Sequence, residues 1–571
     1  MSSGKIQQTA WKYALQNAVQ FNGRANEKAV VGKVIAALKK EDVSPKDIFP
    51  VVNYVINQVN NLSLDKQISE LRKIAPELLL REKKTRDFSL PKLPSAEKGK
   101  VVTRFPPEPN GYLHIGHAKA VIVDYEYAKM YDGKFILRFD DTNPENAHIE
   151  FYGAQKEDLH WLGIEWDEEY NTSDHLEKHY ELAKQLIKQD NAYICQCSVE
   201  AIKNGRFKGK ECRCRSISIE DNLDEWKTML HSSIEGRVLR LKGDMSCANT
   251  AMRDPTLFRV IDKPHPLQGD KYHVWPTYDF AGAVEDSLSG VTHPFRTKEY
   301  ELRDECYFKL LELLNLRKPK LMEFSRLSIQ GMPVSKRMIK PLIKQGIVSG
   351  YDDIRLPTLR GLKRRGITPK AIKQFVFSQG ISKAESTVDF SLLEADNRKI
   401  LDPIVKRYFF VNAPIKLVVE NAPILEKSIR LHPTDEKLGS RIIKTNSIFY
   451  IPKIDMEKID VGDIFRLKDL YNVKIKEKNK IVYGEYAGKE LIADSAKIQW
   501  TTEKFIRMNI LIPQPLYKNG KFNPNSLIKL GGFAEEAVST LESDEIVQFE
   551  RFGFVRIEKQ NNTIIGFFAH K

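Results

Sequence analysis

The segment PEPNGYLHIGH, residues 107–117, limits the folds open to this chain more than any other part of the sequence. A short apolar run, VVTRF, precedes it, and residues 115–130 have the apolar spacing of a helix. A second strand-like run, KFILRF, follows, and the acidic stretch after Pro144 starts another helix. Short apolar strands that alternate with helices are typical of a doubly wound, Rossmann-like α/β sheet with parallel strands.

The place of this segment between a strand and a helix favours a phosphate-binding site. Ligands of doubly wound sheets bind at the carboxyl ends of the strands, where a helix N-terminus offers free N–H groups and the positive end of its dipole. Gly111 and Gly116 allow close backbone approach, and His114 and His117 can both donate hydrogen bonds to one phosphate chain. Two histidines near a turn are more often structural, but the whole segment in this setting favours nucleotide binding.

The amino-terminal part of the chain reads differently from the α/β region. Residues 1–82 are predicted to form a helical N-terminal domain, because apolar residues recur every three or four positions in residues 10–21, 30–38 and 68–80. The polar, basic stretch that follows, residues 83–100, contains two prolines and is expected to be a linker.

An insertion is expected to divide the α/β core into two halves. The halves are predicted over residues 101–194 and 271–330, with an irregular, cysteine-bearing insertion at 195–270 between them. The sheet is expected to resume near HVWPTYDFA, with a helix over residues 298–314. Residues 331–395 are rich in Lys, Arg and helix-forming residues and predict a loop followed by a helical subdomain.

The carboxy-terminal part, residues 396–571, changes to β signals. Short β-branched and aromatic runs such as IKLVVE and IIGFFAH are separated by Asn, Gly and Asp clusters. This pattern predicts antiparallel barrels or sandwiches, and two barrels of similar size fit the length.

Four of the six cysteines fall within twenty residues, in the pattern CxC-x14-CxC formed by Cys195, Cys197, Cys212 and Cys214. Six cysteines are too few for a disulfide scaffold in a chain of 571 residues. Two close pairs of thiols can supply the tetrahedral four-sulfur shell of a structural Zn²⁺. The alternatives left open are unliganded thiols and a redox pair.

Lys and Arg number 90 against 76 Asp and Glu, which gives a net charge of +14. Such an excess favours a polyanionic partner, although a high isoelectric point can serve solubility alone.

There is no signal-peptide pattern and no apolar run near the ~20 residues that cross a bilayer, so a cytoplasmic protein without membrane contact is expected. Two stretches concentrate the positive charge, unless they are merely solvated faces: Lys203, Arg206, Lys208, Lys210, Arg213 and Arg215, and later Arg360, Lys363, Arg364, Arg365, Lys370 and Lys373.

The segment at residues 107–117 resembles the HIGH motif of class I aminoacyl-tRNA synthetases, in the version of the glutamyl and glutaminyl enzymes. The second nucleotide motif of that family, KMSKS, corresponds to PVSKR at residues 333–337, where only Ser335 and Lys336 match and Pro333 replaces the first lysine. The resemblance covers the chain from about residue 100 to its end. It implies ATP with Mg²⁺, and catalytic roles for His114, His117 and Lys336. The nucleotide-binding residues it implies are Pro107, Asn110, Gly111, His114, Gly116, His117, Arg326, Leu327, Ser335 and Lys336.

The resemblance also implies an amino-acid pocket. Asp140 is similar to the family residue that binds the substrate α-ammonium, and Arg104 and Tyr278 match residues at its carboxylate or side-chain end. Arg296 stands where similar glutaminyl enzymes carry a cysteine, and a guanidinium binds a carboxylate but offers only donors to an amide. That mismatch costs roughly 1–3 kcal/mol, which favours glutamate over glutamine. The alternative is that Arg296 faces solvent or pairs with Glu299.

In related enzymes the insertion holds the tRNA acceptor arm, and β-barrels like those expected here bind the anticodon in the glutaminyl and archaeal- or eukaryotic-type glutamyl enzymes. The expected tRNA-binding residues are Lys203, Arg206, Lys208, Lys210, Arg364 and Arg365. The expected activity is ligation of L-glutamate to tRNA-Glu, with charging of tRNA-Gln left open. The alternatives are a glutaminyl enzyme, a shorter tRNA-modifying glutamyl transferase and a non-catalytic tRNA-binding paralogue. A monomer is expected, with an N-terminal domain that binds tRNA, a partner protein or nothing.

Overall fold

The computed structural model of the chain describes residues 2–21, 23–38, 45–78, 90–231, 236–493, 495–561 and 563–571. The chain divides into two compact units, Met1–Asp87 and Phe88–Lys571. No helix among these described ranges combines the length and the apolar character that a membrane span requires.

The N-terminal unit is helical, as its apolar spacing predicts. Its helices are α1 (Ser2–Gln20), α2 (Glu27–Ala37), α3 (Pro45–Asn60) and α4 (Leu64–Ile74). Ala10, Ala14 and Ala18 recur at four-residue spacing on α1 and are buried against the other helices. The end of the last predicted helix, residues 79–80, and residues 83–89 of the predicted linker lie outside the described residues.

The α/β core begins with a three-stranded parallel sheet whose strands are joined by helices. Its elements are β1 (Val102–Phe105), α5 (Ile115–Met130), β2 (Lys134–Phe139), α6 (Ile149–Trp161), β3 (Glu168–Asn171) and α7 (Leu176–Lys188). β2 lies between β1 and β3, with Val102 opposite Lys134 and Ile136 opposite Glu168. The predicted parallel sheet is confirmed here, because β2 pairs in parallel with both of its neighbours.

A four-stranded antiparallel sheet separates the two halves of the core. Its elements are β4 (Ala192–Cys195), α8 (Val199–Lys208), α9 (Ile219–His231), β5 (Val238–Leu241), β6 (Thr256–Val260) and β7 (Val274–Pro276). The prediction that the parallel sheet resumes at HVWPTYDFA is wrong, because β7 pairs antiparallel with β6. A short, fully buried strand is apolar in either kind of sheet, so its residues alone cannot assign its partner.

Parallel pairing returns after the next helix. The elements of this second half and of the helical subdomain are α10 (Tyr278–Leu288), β8 (Phe295–Thr297), α11 (Asp304–Leu313), β9 (Met322–Phe324), β10 (Leu327–Ile329), α12 (Lys336–Lys344), α13 (Leu359–Arg365), α14 (Pro369–Gln379), β11 (Ser386–Val388) and α15 (Ser391–Leu401). β8 pairs with β9, and the backbone N–H of Thr292 donates to the carbonyl of Val102 at 2.9 Å, which joins this half to β1. The helix predicted over residues 298–314 forms as a 3-10 segment followed by α11.

Two barrel-like sheets make up most of the carboxy-terminal region. The elements are β12 (Arg407–Tyr408), β13 (Phe410–Asn412), β14 (Pro414–Glu420), β15 (Leu425–Arg430), β16 (Ser440–Thr445), β17 (Ile448–Pro452), α16 (Lys453–Met456), β18 (Ile464–Leu467), β19 (Asn472–Lys478), β20 (Ile481–Tyr486), β21 (Lys497–Ile498), β22 (Phe505–Pro513), β23 (Tyr517–Lys518), β24 (Lys521–Phe522), β25 (Leu527–Glu535), β26 (Ile546–Phe549), β27 (Gly553–Gln560) and β28 (Thr563–His570). One sheet has the order β17-β14-β20-β19-β18-β21, and the other β12-β26-β27-β28-β22-β25-β13. The expected antiparallel arrangement needs correction, since β14 with β20 and β22 with β28 pair in parallel across crossovers.

Candidate active site

A cavity of about 720 Å³ lies where the carboxyl ends of β1, β2 and β8 meet. This is the position at which open α/β sheets bind ligands. Residues singled out from distant parts of the sequence line this one cavity: Arg104, Pro107, His114, Gly116, His117, Asp140, Tyr278, Arg296, Arg326 and Leu327. The predicted nucleotide and amino-acid residues therefore share a single site.

The two histidines are organised by the start of α5. His114 is the N-cap, and its Nδ1 accepts a hydrogen bond from the Gly116 N–H at 3.1 Å. The Nδ1 of His117 accepts from the His114 N–H at 3.2 Å, and the two rings stack with centroids 3.8 Å apart. A Cβ at Gly116 would lie 2.9 Å from His114 Cε1, so this stacking requires glycine there.

These contacts also fix the protonation of both rings. Burial, together with the positive charge of Arg326, lowers the pKa of His117 to about 4, and burial and His117 lower the pKa of His114 well below its usual value. Both rings are neutral at physiological pH. Because each Nδ1 is an acceptor, each proton sits on Nε2, and both Nε2–H groups remain to donate to a ligand.

The remaining predicted nucleotide residues lie beside the cavity rather than in its lining. Lys336 is the first residue of α12, Ser335 is the N-cap, and Lys336 Nζ donates to the backbone carbonyl of Asn110. Lys336 Cδ lies 3.5 Å from where a Cβ of Gly111 would stand. The SK pair at residues 335–336 is thus brought against the 107–117 segment, although the two are more than two hundred residues apart in the chain.

A buried charge network supports the floor of the cavity. Arg104 donates from Nε and Nη2 to the two oxygens of Asp286 at 3.0 and 3.2 Å. Arg138 links Asp286, at 2.9 Å from Nη1, to Asp140, at 2.8 Å from Nε. Thr172 Oγ1 also donates to Asp140 at 3.0 Å. Asp140 is therefore held in one orientation by a guanidinium and a hydroxyl.

Arg296 faces the cavity from β8 and is only 7% exposed. Its guanidinium forms an ion pair with Asp304, lies 3.9 Å from a carboxylate oxygen of Glu323, and sits 5.3 Å from the centre of the Tyr307 ring. Glu299, the partner considered from sequence, instead accepts a hydrogen bond from Arg326 at 3.1 Å. The arginine is neither solvent-facing nor paired with Glu299, and it contributes a buried cation to the cavity wall.

The residues that hold the predicted ones in place are not evident from the sequence; they are chiefly Arg138, Asp286 and Asp304. A signal was nevertheless present for Asp286, since Glu285 and Asp286 directly follow the apolar, buried run FAGAV of helix α10. Charged residues are almost never fully buried unless they are paired, so an acidic pair in such a helix indicates cationic partners elsewhere. Tyr300 was also missed; its ring lies 4.7 Å from that of Tyr278, and both line the cavity.

The four clustered cysteines meet at one point. Their Sγ atoms all lie within 4.8 Å of one another, and the Sγ–Sγ distance is 3.8 Å both for Cys195–Cys212 and for Cys197–Cys214. Sulfurs about 2.3 Å from a central tetrahedral Zn²⁺ are separated by about 3.8 Å, so the spacing fits this ion. None of the four is in a disulfide. The buried Arg240 places Nη1 3.8 Å from Cys212 Sγ, where it offsets part of the thiolate charge.

The helix α8 carries the first group of predicted tRNA-binding residues. Lys203, Lys208 and Lys210 are exposed on or just beyond it, and Arg206 is partly buried, with Nη2 donating to the Thr250 carbonyl at 2.9 Å. Phe207, which the sequence analysis overlooked, is 82% exposed among these lysines. An exposed aromatic ring within a basic patch suits nucleobase stacking.

The second group occupies α13 and is placed differently from expectation. Arg365 is buried, donates from Nε and Nη2 to the Ala569 carbonyl at 3.2 and 3.0 Å, and pairs with Glu394. Arg364 donates from Nη2 to Glu558 at 3.0 Å and from Nη1 to Asp352 at 2.9 Å. The expectation that Arg365 meets tRNA is corrected, because its guanidinium faces the end of β28. Adjacent positions of a helix point about 100° apart, so a basic run always sends some members inward.

Comparison with known proteins agrees with this geometry. Residues 100–403 match the family described as tRNA synthetases class I (E and Q), catalytic domain, and residues 405–487 and 497–558 match two anti-codon binding domains of the same group. A glutamate--tRNA ligase of Nitrosopumilus maritimus (strain SCM1) is 43% identical over 563 residues, covering 98% of each chain. One from Pyrococcus furiosus is 41% identical over 585 residues, covering 99% of this chain and all of the relative. The chain belongs to the class I tRNA synthetases of the glutamate and glutamine (E and Q) group.

Proposed function

We propose that this chain ligates L-glutamate to tRNA-Glu in an ATP-dependent reaction that passes through glutamyl-adenylate. The observation that carries the proposal is the buried Arg296 guanidinium in the cavity that His114, His117 and Asp140 also line. A guanidinium binds a carboxylate in a bidentate, charge-assisted manner but gives an amide NH₂ group no acceptor. The relatives named glutamate--tRNA ligase, which match nearly the whole chain, support the same substrate.

In the first step the α-carboxylate of glutamate attacks the α-phosphate of ATP, a new O–P bond forms, and pyrophosphate leaves. Asp140 binds the α-ammonium of glutamate. Arg104, Tyr278 and Arg296 position the end of the substrate that carries the side-chain carboxylate. The Nε2–H groups of His114 and His117 stabilise the charge that develops on the phosphates. Mg²⁺ enters with ATP, since in such sites it is held largely through phosphate oxygens.

Lys336 completes the nucleotide site by adding a positive charge for the leaving pyrophosphate. In this structure its ammonium is engaged by the Asn110 carbonyl, next to the glycine-containing turn of the 107–117 segment. ATP phosphates are a better partner for an ammonium than a neutral carbonyl, so nucleotide binding draws Lys336 from Asn110. Pro107, Gly116, Arg326 and Leu327 shape the cavity around the nucleotide.

In the second step the 2′-hydroxyl of the terminal adenosine of tRNA attacks the carbonyl of the adenylate, and AMP leaves. The cysteine-bearing insertion holds the acceptor arm through Lys203, Arg206, Lys208 and Lys210, with Phe207 among them. Arg364 is less available, since both of its carboxylate partners are in place. The two C-terminal anti-codon binding regions take the other end of the tRNA.

A structural Zn²⁺ held by Cys195, Cys197, Cys212 and Cys214 fixes the shape of the insertion. Four thiolates fill a tetrahedral shell and leave no position for substrate, so the metal has no part in the chemistry. Metal analysis of freshly purified, reduced protein should find one zinc per chain. Mutation of Cys214 to Ser should release it and lower the unfolding temperature, and zinc-free wild-type protein of unchanged stability would contradict the site.

The main rival is a glutaminyl enzyme, and it differs at the pocket rather than at the nucleotide site. Arg296 is buried in the cavity wall, and its guanidinium offers only hydrogen-bond donors, which suit a substrate carboxylate better than an amide. A non-catalytic tRNA-binding paralogue is a second rival. The ordered donors of His114 and His117 and the paired Asp140 argue against it, because each is arranged for substrate rather than for the fold alone.

The deciding experiment is to charge purified tRNA-Glu and tRNA-Gln separately with labelled glutamate and glutamine. The proposal expects glutamate on tRNA-Glu, with ATP consumed and pyrophosphate released. Glutamate on tRNA-Gln would add a mischarging activity, whereas glutamine as the transferred amino acid would refute the assignment. Binding of tRNA without any aminoacylation would favour the non-catalytic paralogue.

The N-terminal unit, Met1–Asp87, is proposed to bind tRNA or a partner protein rather than to take part in the chemistry. The described residues that line the cavity belong to the unit Phe88–Lys571. Its surface carries exposed aromatic side chains, Phe21, Phe49 and Tyr54. The chain without residues 1–87 should therefore activate glutamate normally, and loss of tRNA affinity in that variant would assign the unit to tRNA.

A further inference from the structure

One acidic residue in the cavity wall has no role in the reaction described above. Asp124 lies on α5, is 1% exposed, and lines the same cavity as Arg104, Tyr278 and Arg296. Its Oδ1 is buried without a hydrogen-bond partner among the described residues. Thr103 Oγ1 donates to the backbone carbonyl of Asp124 at 2.7 Å, so this contact fixes the helix and leaves the carboxyl group to the cavity.

Arg104, the cation that acts on Asp124, is already paired with another carboxylate. On β1, β2 and α10, Arg104 and Arg138 are paired with Asp286 and Asp140. On the β8 side, the cations Arg296 and Lys383 are paired with the anions Asp304 and Glu323. An ionised Asp124 would therefore be a surplus negative charge in the wall that receives an anionic amino acid.

The surroundings favour the neutral form of the group. Burial raises the pKa of Asp124 well above its usual range, Asp286 raises it further, and Arg104 only partly opposes them. A buried carboxylate without hydrogen bonds is costly, and the usual outcome is that the group takes up a proton. A protonated carboxyl group also has an O–H that can donate to a substrate carboxylate.

We propose that Asp124 is a specificity-determining residue that acts through its own protonation state. When Asp124 is a neutral carboxylic acid, the pocket admits glutamate. When Asp124 is a carboxylate, the pocket excludes glutamate. The inference rests on the proposed function, since it requires an anionic substrate. The O–H of Asp124 donates to a carboxylate oxygen of bound glutamate beside Arg104. Once the pH exceeds the pKa of Asp124, the protonated fraction falls about tenfold per further pH unit, and the KM for glutamate rises by about the same factor.

The test compares wild type with Asp124→Asn, which keeps the shape and a donor but cannot ionise. The KM for glutamate is measured with tRNA present from mildly acidic to alkaline pH. The ionisation of free glutamate is common to both proteins, so the ratio of wild-type to variant KM isolates Asp124. That ratio should be near one at acidic pH and rise with pH, while the exposed Asp132→Asn should follow wild type throughout.

A ratio that does not change with pH would overturn the proposal, and so would a variant with a much higher KM than wild type at every pH, because a carboxylate would then be needed. If Asp124→Asn is unstable, Asp124→Ser also lacks an ionisable group and should give the same rising ratio. Absence of glutamate activation by wild type at any pH would instead refute the proposed function, so the two failures are distinguishable.

Discussion

Single side chains in this site are held by partners that lie far away in the sequence. Arg104 meets Asp286 across 182 residues, and Arg138 reaches the same aspartate across 148. A buried charge is tolerated only with such partners, and removal of one member leaves the other unpaired, typically at a cost of about 3–5 kcal/mol. Substitutions here should therefore affect both substrate binding and stability, and tests must separate the two.

Arg296→Cys should weaken glutamate activation, because the substrate carboxylate would lose its guanidinium. Loss of a buried charge pair costs about 2 kcal/mol or more, which corresponds to a fall of at least about 30-fold in kcat/KM for glutamate. Pyrophosphate exchange with tRNA present measures the effect, and the KM for ATP should change little. Arg296→Lys is the matched control. It keeps the positive charge but loses the bidentate donors of the guanidinium, so it should retain part of the activity. Unchanged exchange in Arg296→Cys would contradict the role of this residue.

At the scale of elements, α10 and α7 are joined by one buried carboxylate. Glu285 on α10 contacts His179 Nε2 at 2.7 Å and His175 Nδ1 at 3.1 Å. Although burial raises the pKa of Glu285, the hydrogen bonds of His175 and His179 outweigh it and hold the pKa at about 2. The next residue of α10, Asp286, anchors Arg104 and Arg138, so this contact positions the helix that supports the cavity.

A carboxyl group whose pKa is lower in the folded than in the unfolded protein stabilises the folded state. This stabilisation is fully present at pH values above the unfolded pKa, and it is lost as the pH falls through the folded pKa. For Glu285 the loss should occur between pH 4.5 and about 2. Glu285→Gln should therefore be less stable at neutral pH, by up to about 3 kcal/mol, and less sensitive to acid. Urea unfolding across pH measures both effects. The exposed Glu181→Gln on α7 is the control, and equal acid sensitivity of Glu285→Gln and wild type would contradict the contact.

The exposed lysines on and just beyond α8 should act on tRNA binding alone. Replacement of Lys203, Lys208 and Lys210 by Ala removes three charges near the proposed acceptor site, so affinity for tRNA should fall and its salt dependence should become shallower by up to about three counterions. Filter binding at several salt concentrations measures this. Lys178, Lys188 and Lys227, exposed on α7 and α9, give a control of equal charge. An identical loss in both triple variants would indicate only a general effect of net charge.

At the scale of the unit Phe88–Lys571, α13 joins the helical subdomain to the seven-stranded sheet. Arg365 reaches the Ala569 carbonyl on β28, and Arg364 reaches Glu558 on β27. These contacts relate the catalytic part to a sheet whose strands lie about two hundred residues later. The placement of the catalytic part relative to this sheet is thus supported by charge-assisted hydrogen bonds from two adjacent residues of one helix.

Arg365→Ala should lower the unfolding temperature, because it removes hydrogen bonds from a charged group, each worth about 1.5–3 kcal/mol, and leaves the Ala569 carbonyl and Glu394 without this partner. Thermal unfolding measures the change. Lys363→Ala, on the same helix but exposed, should be neutral for stability. A stable Arg365→Ala protein with weakened tRNA binding would restore the sequence-based expectation that this residue contacts RNA.

The sequence by itself determined many of the elements and the family to which the chain belongs. β1, α5 and β2 follow from local apolar spacing. The turn between β1 and α5 follows from residues 107–117, because the conformation of a turn depends on its own residues and their immediate neighbours. The paired spacing of Cys195, Cys197, Cys212 and Cys214 already indicated a metal site, since each CxC pair is local.

Only the tertiary structure decided which elements and charges meet. It placed β7 in the antiparallel sheet, turned Arg365 inward, brought Asp124 into the cavity wall, and paired Asp286 and Arg138 with the cavity residues Arg104 and Asp140. Local patterns report burial, but a buried charge or a short apolar strand is compatible with many partners. The choice among them depends on contacts between residues more than a hundred positions apart, which periodicity and composition do not encode.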